Sequence, residues 1–178
     1  FLLNEYKRVT SLILPVAKTL LAPLVEDINY KLRPGLITLT WTSMNIDAYR
    51  HHVLQGLKNL EALIININDV IENQIQKNLK IVSKTMLVDL PTDSSCTLDD
   101  FVLLQHAAVN SQVAVLEAKN IQIEQAVEDV LEAIRQFTLE PHLSHVSENV
   151  NIEFKEHYFK LMYNALLQAT KNSLTVLK

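Results

Sequence analysis

From Ile46 to Val82 an apolar side chain returns at every third or fourth residue: Ile46, Tyr49, Val53, Leu57, Leu60, Ile64, Ile67, Ile71, Ile75, Leu79 and Val82. That spacing is the one-sided stripe of an amphipathic α-helix, and no proline interrupts it. It predicts a helix over 45–88, roughly 65 Å long at about 1.5 Å per residue. Such a length suits an elongated molecule. Glycine supply points the same way. The 178 residues include 2 glycines and 5 prolines, too few glycines for the turns of an all-β fold or the phosphate loops of a doubly wound α/β fold. At 48% hydrophobic, the chain has material for a core and does not read as disordered. The expected fold class is all-α: an elongated antiparallel helical bundle of three to four long helices.

The other helices follow from the same periodicity. A stripe through Leu2, Tyr6, Val9, Ile13, Ala17, Leu20, Leu24, Ile28 and Leu32 marks a helix over 2–32, jointed or kinked at Pro15 and Pro23, because each proline removes one backbone hydrogen bond. Thr97 followed by Asp99 and Asp100 reads as an N-cap with acid in the first turn. It opens a helix over 98–138 with Phe101, Leu104, Ala108, Val115, Ile121, Val127, Val130 and Ile134 on its stripe. A fourth helix over 150–177 carries Phe154, Tyr158, Met162, Ala165, Ala169 and Leu174. Polar, proline-bearing loops at 89–96 and 139–149 separate these helices. Residues 1–178 are expected to form a single helical-bundle segment. Because the chain starts at Phe1 in mid-pattern, it reads as part of a larger protein. Gly56 sits inside the second helix at a cost of about 1 kcal/mol against Ala, which close helix–helix approach would offset.

One stretch breaks the helical pattern, the short corner at about 34–44 and its exit to Asp47. Pro34-Gly35 stops a helix, since proline lacks the N–H and glycine reaches backbone angles that other residues avoid. Thr38, Thr40 and Thr42 alternate with Leu39 and Trp41, the period of an extended segment with one buried face. Trp41 is its anchor, and Ser43 and Asn45 offer N-cap oxygens to the next helix. The structural corner is therefore assigned to Pro34, Gly35, Trp41, Ser43, Asn45 and Asp47.

The residues carry no catalytic or cofactor-binding pattern. A P-loop needs glycines at both ends of a loop closing on Lys-Ser/Thr, and neither Gly35 nor Gly56 has that setting. A di-iron bundle needs Glu-x-x-His, and no Glu has a His three residues later. His142 and His145 near Glu140 and Glu148 are a weak metal-clip pattern, read as a solvated loop. His51 and His52 are adjacent, so they point to different sides of a helix and cannot chelate together. The single Cys96 permits no internal disulfide and suits a reducing compartment. A net charge of −4 with only thin basic clusters argues against nucleic acid. No apolar run approaches the roughly 20 residues of a membrane span. Glu124, Glu128, Asp129 and Glu132 form an acidic strip on the third helix, either a solvated face or a docking face for a basic partner helix or loop.

The stretch Arg33-Pro34-Gly35-Leu36-Ile37-Thr38-Leu39-Thr40-Trp41-Thr42-Ser43-Met44-Asn45-Ile46-Asp47 resembles the tail (stem) region of axonemal dynein heavy chains, which carry a very similar run. Val25-Glu26-Asp27, Tyr30-Lys31-Leu32, Asn68-Asp69-Val70-Ile71-Glu72-Asn73, Leu98-Asp99-Asp100-Phe101-Val102 and Ala126-Val127-Glu128-Asp129 match in order, so the resemblance covers most of the chain. It leans toward an outer-arm type. It implies a structural and assembly segment of a microtubule motor of cilia and flagella, located in the cytoplasm, on the cytoskeleton, in the axoneme. Its implied partners are other dynein heavy chains, intermediate and light chains, and docking factors on the microtubule doublet, with no nucleic acid and no membrane. Catalysis, with ATP and Mg, is expected in the motor region of the full-length chain, and no enzyme activity or cofactor in this fragment. The rival reading is a generic cytosolic helical-bundle adaptor or tethering scaffold, which has no reason to carry the Trp41 run.

Overall fold

The computed structural model describes residues 1–36, 45–88, 96–137 and 148–176. Among them the structure is all-α, with no strand. The helices are α1 (Leu2–Ser11), α2 (Lys18–Leu32), α3 (Ile46–Asp69), α4 (Lys77–Lys84), α5 (Leu98–Phe137) and α6 (Glu148–Val176). Short 3-10 turns occupy Pro15–Ala17 and Arg33–Leu36, and a π-helical segment, Val70–Gln76, joins α3 to α4. The chain divides into two compact units. One comprises Phe1–Val70 with Asp129–Phe154, the other Ile71–Glu128 with Lys155–Lys178.

In the first unit the core is built from Val9 of α1, Leu20, Leu21, Leu24, Ile28 and Leu32 of α2, and Val53, Leu57, Leu60, Ile64 and Ile67 of α3, all buried. The expected helix over 2–32 is jointed, as the prolines suggest, but the two prolines act differently. Pro15 opens the 3-10 turn and follows an extended Leu14, as the residue before a proline prefers. The chain bends by 107° there. Pro23 lies inside α2 without ending it. As a result α1 and α2 run in opposite senses along α3. Phe1 sits under the Arg50 guanidinium at 5.4 Å, Arg8 reaches Glu61, and Asn68 Nδ2 donates to the Leu12 carbonyl at 2.8 Å, so α1 travels with α3. Leu32 and Ile28 of α2 meet Tyr49 and Gly56 instead, so α2 returns against it. The joint at Pro15 thus sets α1 parallel and α2 antiparallel to α3.

Gly56 is the close approach anticipated above: a Cβ placed there would lie 2.9 Å from Ile28 Cδ1. Arg8 holds α1 in register. Its Nη1 and Nη2 donate to Glu61 at 2.6 and 2.7 Å, and Nε and Nη2 to Glu5 at 3.0 and 2.6 Å. The Arg8 bond keeps the Glu61 carboxyl below the usual carboxylate range. This network is exposed, so it selects the pairing of α1 with α3 more than it stabilises it.

The second long helix is not uniformly α-helical. Its stripe takes three consecutive steps of four, Ile67 to Ile71 to Ile75 to Leu79. At about 3.6 residues per turn each step of four drifts round the helix, and three in succession leave the buried face. A π turn, closing i to i+5, absorbs the extra residue. Ile67, Ile71 and Ile75 are all fully buried as a result. The helical part ends at Lys84, short of the expected Val88.

In the second unit Ile71, Ile75 and Val82 are buried, as are Ile123, Ala126 and Val127 of α5 and Tyr158, Met162, Ala165, Ala169 and Ser173 of α6. The expected α5 stripe departs from this at its start. Leu104 is 46% exposed and Ile121 65%, so within this unit burial on α5 begins only at Ile123. On α6 it is Ser173, not Leu174, that faces inward.

Candidate functional site

The corner is built around a tyrosine. Pro34 and Gly35 lie in the 3-10 turn that follows α2. The Tyr49 hydroxyl donates to the Leu32 carbonyl at 3.0 Å and accepts from the Gly35 N–H at 3.2 Å. These are the carbonyl and the amide that open the 3-10 turn, so the hydroxyl adds a side-chain tie from α3 to the backbone bond that starts it. Gly35 does not adopt a positive φ, so the backbone freedom inferred from the sequence is not what this position uses. Its missing side chain is: a Cβ there would stand 2.6 Å from the Tyr49 hydroxyl. Asn45 behaves as the sequence suggests, its Oδ1 accepting from the Ala48 N–H at 3.1 Å, with Asp47 in the favourable first turn of α3. Trp41 and Ser43 lie outside the described residues, as do the extended segment and the His142 and His145 pattern. Tyr49→Phe is expected to cost about 1 kcal/mol by removing both hydroxyl bonds, measurable by chemical denaturation. An unchanged midpoint would show that water replaces the hydroxyl.

The acidic strip resolves into separate roles. Glu132 is bound within its own helix: Gln136 and Arg135 donate to it at 3.0 and 2.7 Å and hold its carboxyl below the usual range. Asp129 is exposed. Glu128 is ion-paired with Lys155 of α6. Glu124 accepts from the Asn120 amide at 2.8 Å. Glu124 and Glu128 border a groove of about 430 Å³ between α5 and α6, lined by Ile121, Ile123, Val127, Tyr158, Phe159 and Met162. The lip is apolar and open, with Ile121 65% and Phe159 70% exposed. Tyr158 is 3% exposed at the base, and burial pushes its phenol up to about 12 from the ordinary 10.0. The native state thus keeps a proton that the unfolded chain has already lost. Stability is full below about pH 10 and falls as pH rises toward about 12. Denaturation at graded pH is expected to show this loss, and Tyr158→Phe to abolish it.

A second, wider cleft of about 950 Å³ lies in the first unit, where α2, α3 and the end of α5 meet. Its lining is mostly amide and apolar, with Gln55 and Asn59 bonded to each other at 2.9 Å and Lys31 paired with Asp27 at 2.7 Å. Among the described residues no group of three or more His, Cys, Asp or Glu is placed to hold a metal ion. No single described helix is long and apolar enough to cross a membrane. What the arrangement offers chemically is contact surface: an apolar groove with carboxylates on one lip.

Known proteins are similar in sequence. The family pattern of the dynein heavy chain N-terminal region 1 matches residues 1–49. The dynein gamma chain of the flagellar outer arm of Chlamydomonas reinhardtii is 40% identical over 161 residues, which is 90% of this chain and 4% of that protein. Axonemal dynein heavy chain 5 of Mus musculus is 32% identical over 149 residues, 84% of this chain and 3% of the relative. Axonemal dynein heavy chain 8 of Homo sapiens is 27% identical over 135 residues, 76% of this chain and 3% of the relative. The chain thus spans only a few per cent of the length of the relatives it matches. With a match running through nearly all of its helices, the chain belongs to the axonemal dynein heavy chain family.

Proposed function

We propose that this segment is a structural and assembly part of an axonemal dynein heavy-chain tail. The observation that carries the reading is the 40% identity to a flagellar outer-arm heavy chain over 161 residues. Its helices supply the scaffold, and their uncovered faces hold neighbours in the arm. On this reading the partners are other heavy chains, intermediate and light chains, and docking factors on the microtubule doublet. The full-length chain works as a minus-end-directed, ATP-hydrolysing motor in cilia or flagella. ATP and Mg act in its motor region, and this segment performs no catalysis and holds no cofactor. Surface chemistry supports the assembly role. Leu98, Leu103, Leu104 and Val109 of α5 are 78%, 68%, 46% and 43% exposed, and no charged residue falls between Phe101 and Leu116. Exposed apolar side chains gathered on one uncharged helix segment support an interaction role.

The test replaces residues 1–178 in the full-length heavy chain with a flexible linker and expresses it in flagellated cells. Dynein arms are expected to disappear from axoneme cross-sections, while the purified heavy chain still hydrolyses ATP. Normal arms in such cells would overturn the assembly role. ATP turnover by the 178-residue chain alone would overturn the assignment of catalysis to the rest of the molecule.

A further inference from the structure

We propose that the groove between α5 and α6 seats a basic amphipathic helix, one that carries an apolar side chain with a Lys or Arg about one turn to either side. The proposal rests on the assembly reading above and adds the chemistry of one partner. Glu117, Ile121, Glu124 and Glu128 fall at i, i+4, i+7 and i+11 on α5, a single stripe of the helix surface. The groove below is floored by Ile123 and Val127 of α5 and by Tyr158 and Met162 of α6, all buried. Its lip is the exposed pair Ile121 and Phe159, with Tyr163 one turn further along α6 at 61% exposed. Two large apolar side chains standing in water at the edge of an apolar trough are the footing that an amphipathic helix uses.

Charge selects among amphipathic helices. The charged groups lining the groove are Glu124, Glu128 and Lys155. Lys155 is engaged with Glu128, and Lys160, nearby on α6, with Glu156 at 3.6 Å. Lys119 on α5 donates to Gln122 at 2.9 Å. Glu124 accepts from the neutral Asn120 amide, and Glu117 is exposed on the same stripe. The two carboxylates flank Ile121 at −4 and +3, so the lip carries negative charge on both sides of an apolar knob. A complementary helix presents cations at the same spacing, and an acidic helix is repelled. The groove is also larger than one side chain, which fits a helix face better than an extended tail with a single anchor.

The experiment places the photo-cross-linker p-benzoylphenylalanine at position 159 of the full-length heavy chain in flagellated cells. After irradiation the heavy chain is purified from axonemal and soluble fractions and its cross-linked peptides are sequenced. The expected result is one dominant peptide of amphipathic pattern with Lys or Arg three or four residues to each side of an apolar position. Combining Glu117→Lys with Glu124→Lys is expected to lower its yield at least about fivefold, while Glu117→Gln with Glu124→Gln lowers it less. Equal circular dichroism of the 178-residue variants would exclude unfolding as the cause. A cross-link to an acidic or uncharged segment, no cross-link, or a yield indifferent to charge reversal would overturn the proposal. Recovery of the heavy chain in the axonemal fraction is read separately and tests the assembly reading on its own.

Discussion

Ile64→Ala is expected to lower the unfolding free energy by about 2–5 kcal/mol, while Ile65→Ala, its neighbour in sequence, changes it by no more than about 0.5 kcal/mol. The pair isolates burial from chemistry. Ile64 has no exposed surface and Ile65 is 56% exposed, though both are isoleucines in the middle of α3. Ile64 shares its face with Leu57, Leu60 and Ile67, each buried to within 1%, against the buried row Leu20, Leu21, Leu24 and Ile28 of α2. Removing three carbons there loses their transfer free energy and leaves a cavity that close-packed neighbours only partly fill. Ile64→Val is expected to cost about 0.5–1.5 kcal/mol, giving a graded series in urea denaturation. Equal effects at positions 64 and 65 would mean that the α2–α3 interface does not hold in solution.

The contrast between these two isoleucines also marks how far periodicity can be read. Leu63, Ile64 and Ile65 in a row suggest a widened apolar face, and the structure buries the first two and exposes the third. Local chemistry was fully legible where one side chain acts on the backbone beside it. Asn45 caps α3, and Thr97 accepts from the Asp100 N–H at 3.2 Å to cap α5. The family was legible too, because an ordered set of short matches needs no geometry. Less legible were features that depend on a partner distant in sequence. Gly35 reads as a residue of special backbone angle, yet it is constrained by the Tyr49 ring fourteen positions away. Tyr49 reads as one more stripe residue, and its hydroxyl joins the end of α2 to the turn after it. The π segment was written into the three steps of four from Ile67, a signal visible only when drift per turn is summed. The acidic strip has all four of its carboxylates on α5. Its division into a Glu132 bound to its own turn and a Glu124 on a groove needed the position of α6.

Ser173→Ala is the complementary case, a polar core residue whose loss is expected to cost about 1–3 kcal/mol although alanine is the better helix former. Ser173 is 2% exposed. Its Oγ donates to the Ala169 carbonyl at 2.8 Å and accepts from the Leu87 N–H at 2.8 Å. Its neighbour Asn172 donates to the Ser83 carbonyl at 3.1 Å. These two side chains of α6 take up backbone groups released where α4 ends at Lys84 and the chain turns extended at Thr85. An alanine at 173 fits the space and leaves the Leu87 N–H facing a methyl group, so the full cost of an unmet donor appears. Asn172→Ala removes the more exposed of the two ties and is expected to cost less, about 0.5–1.5 kcal/mol. Amide hydrogen exchange distinguishes the cause. In Ser173→Ala the Leu87 amide is expected to exchange faster while amides in the middle of α6 keep their protection. Uniformly faster exchange along α6 would instead assign the loss to the helix itself, and unchanged protection at Leu87 would mean that another acceptor takes the place of the Ser173 hydroxyl.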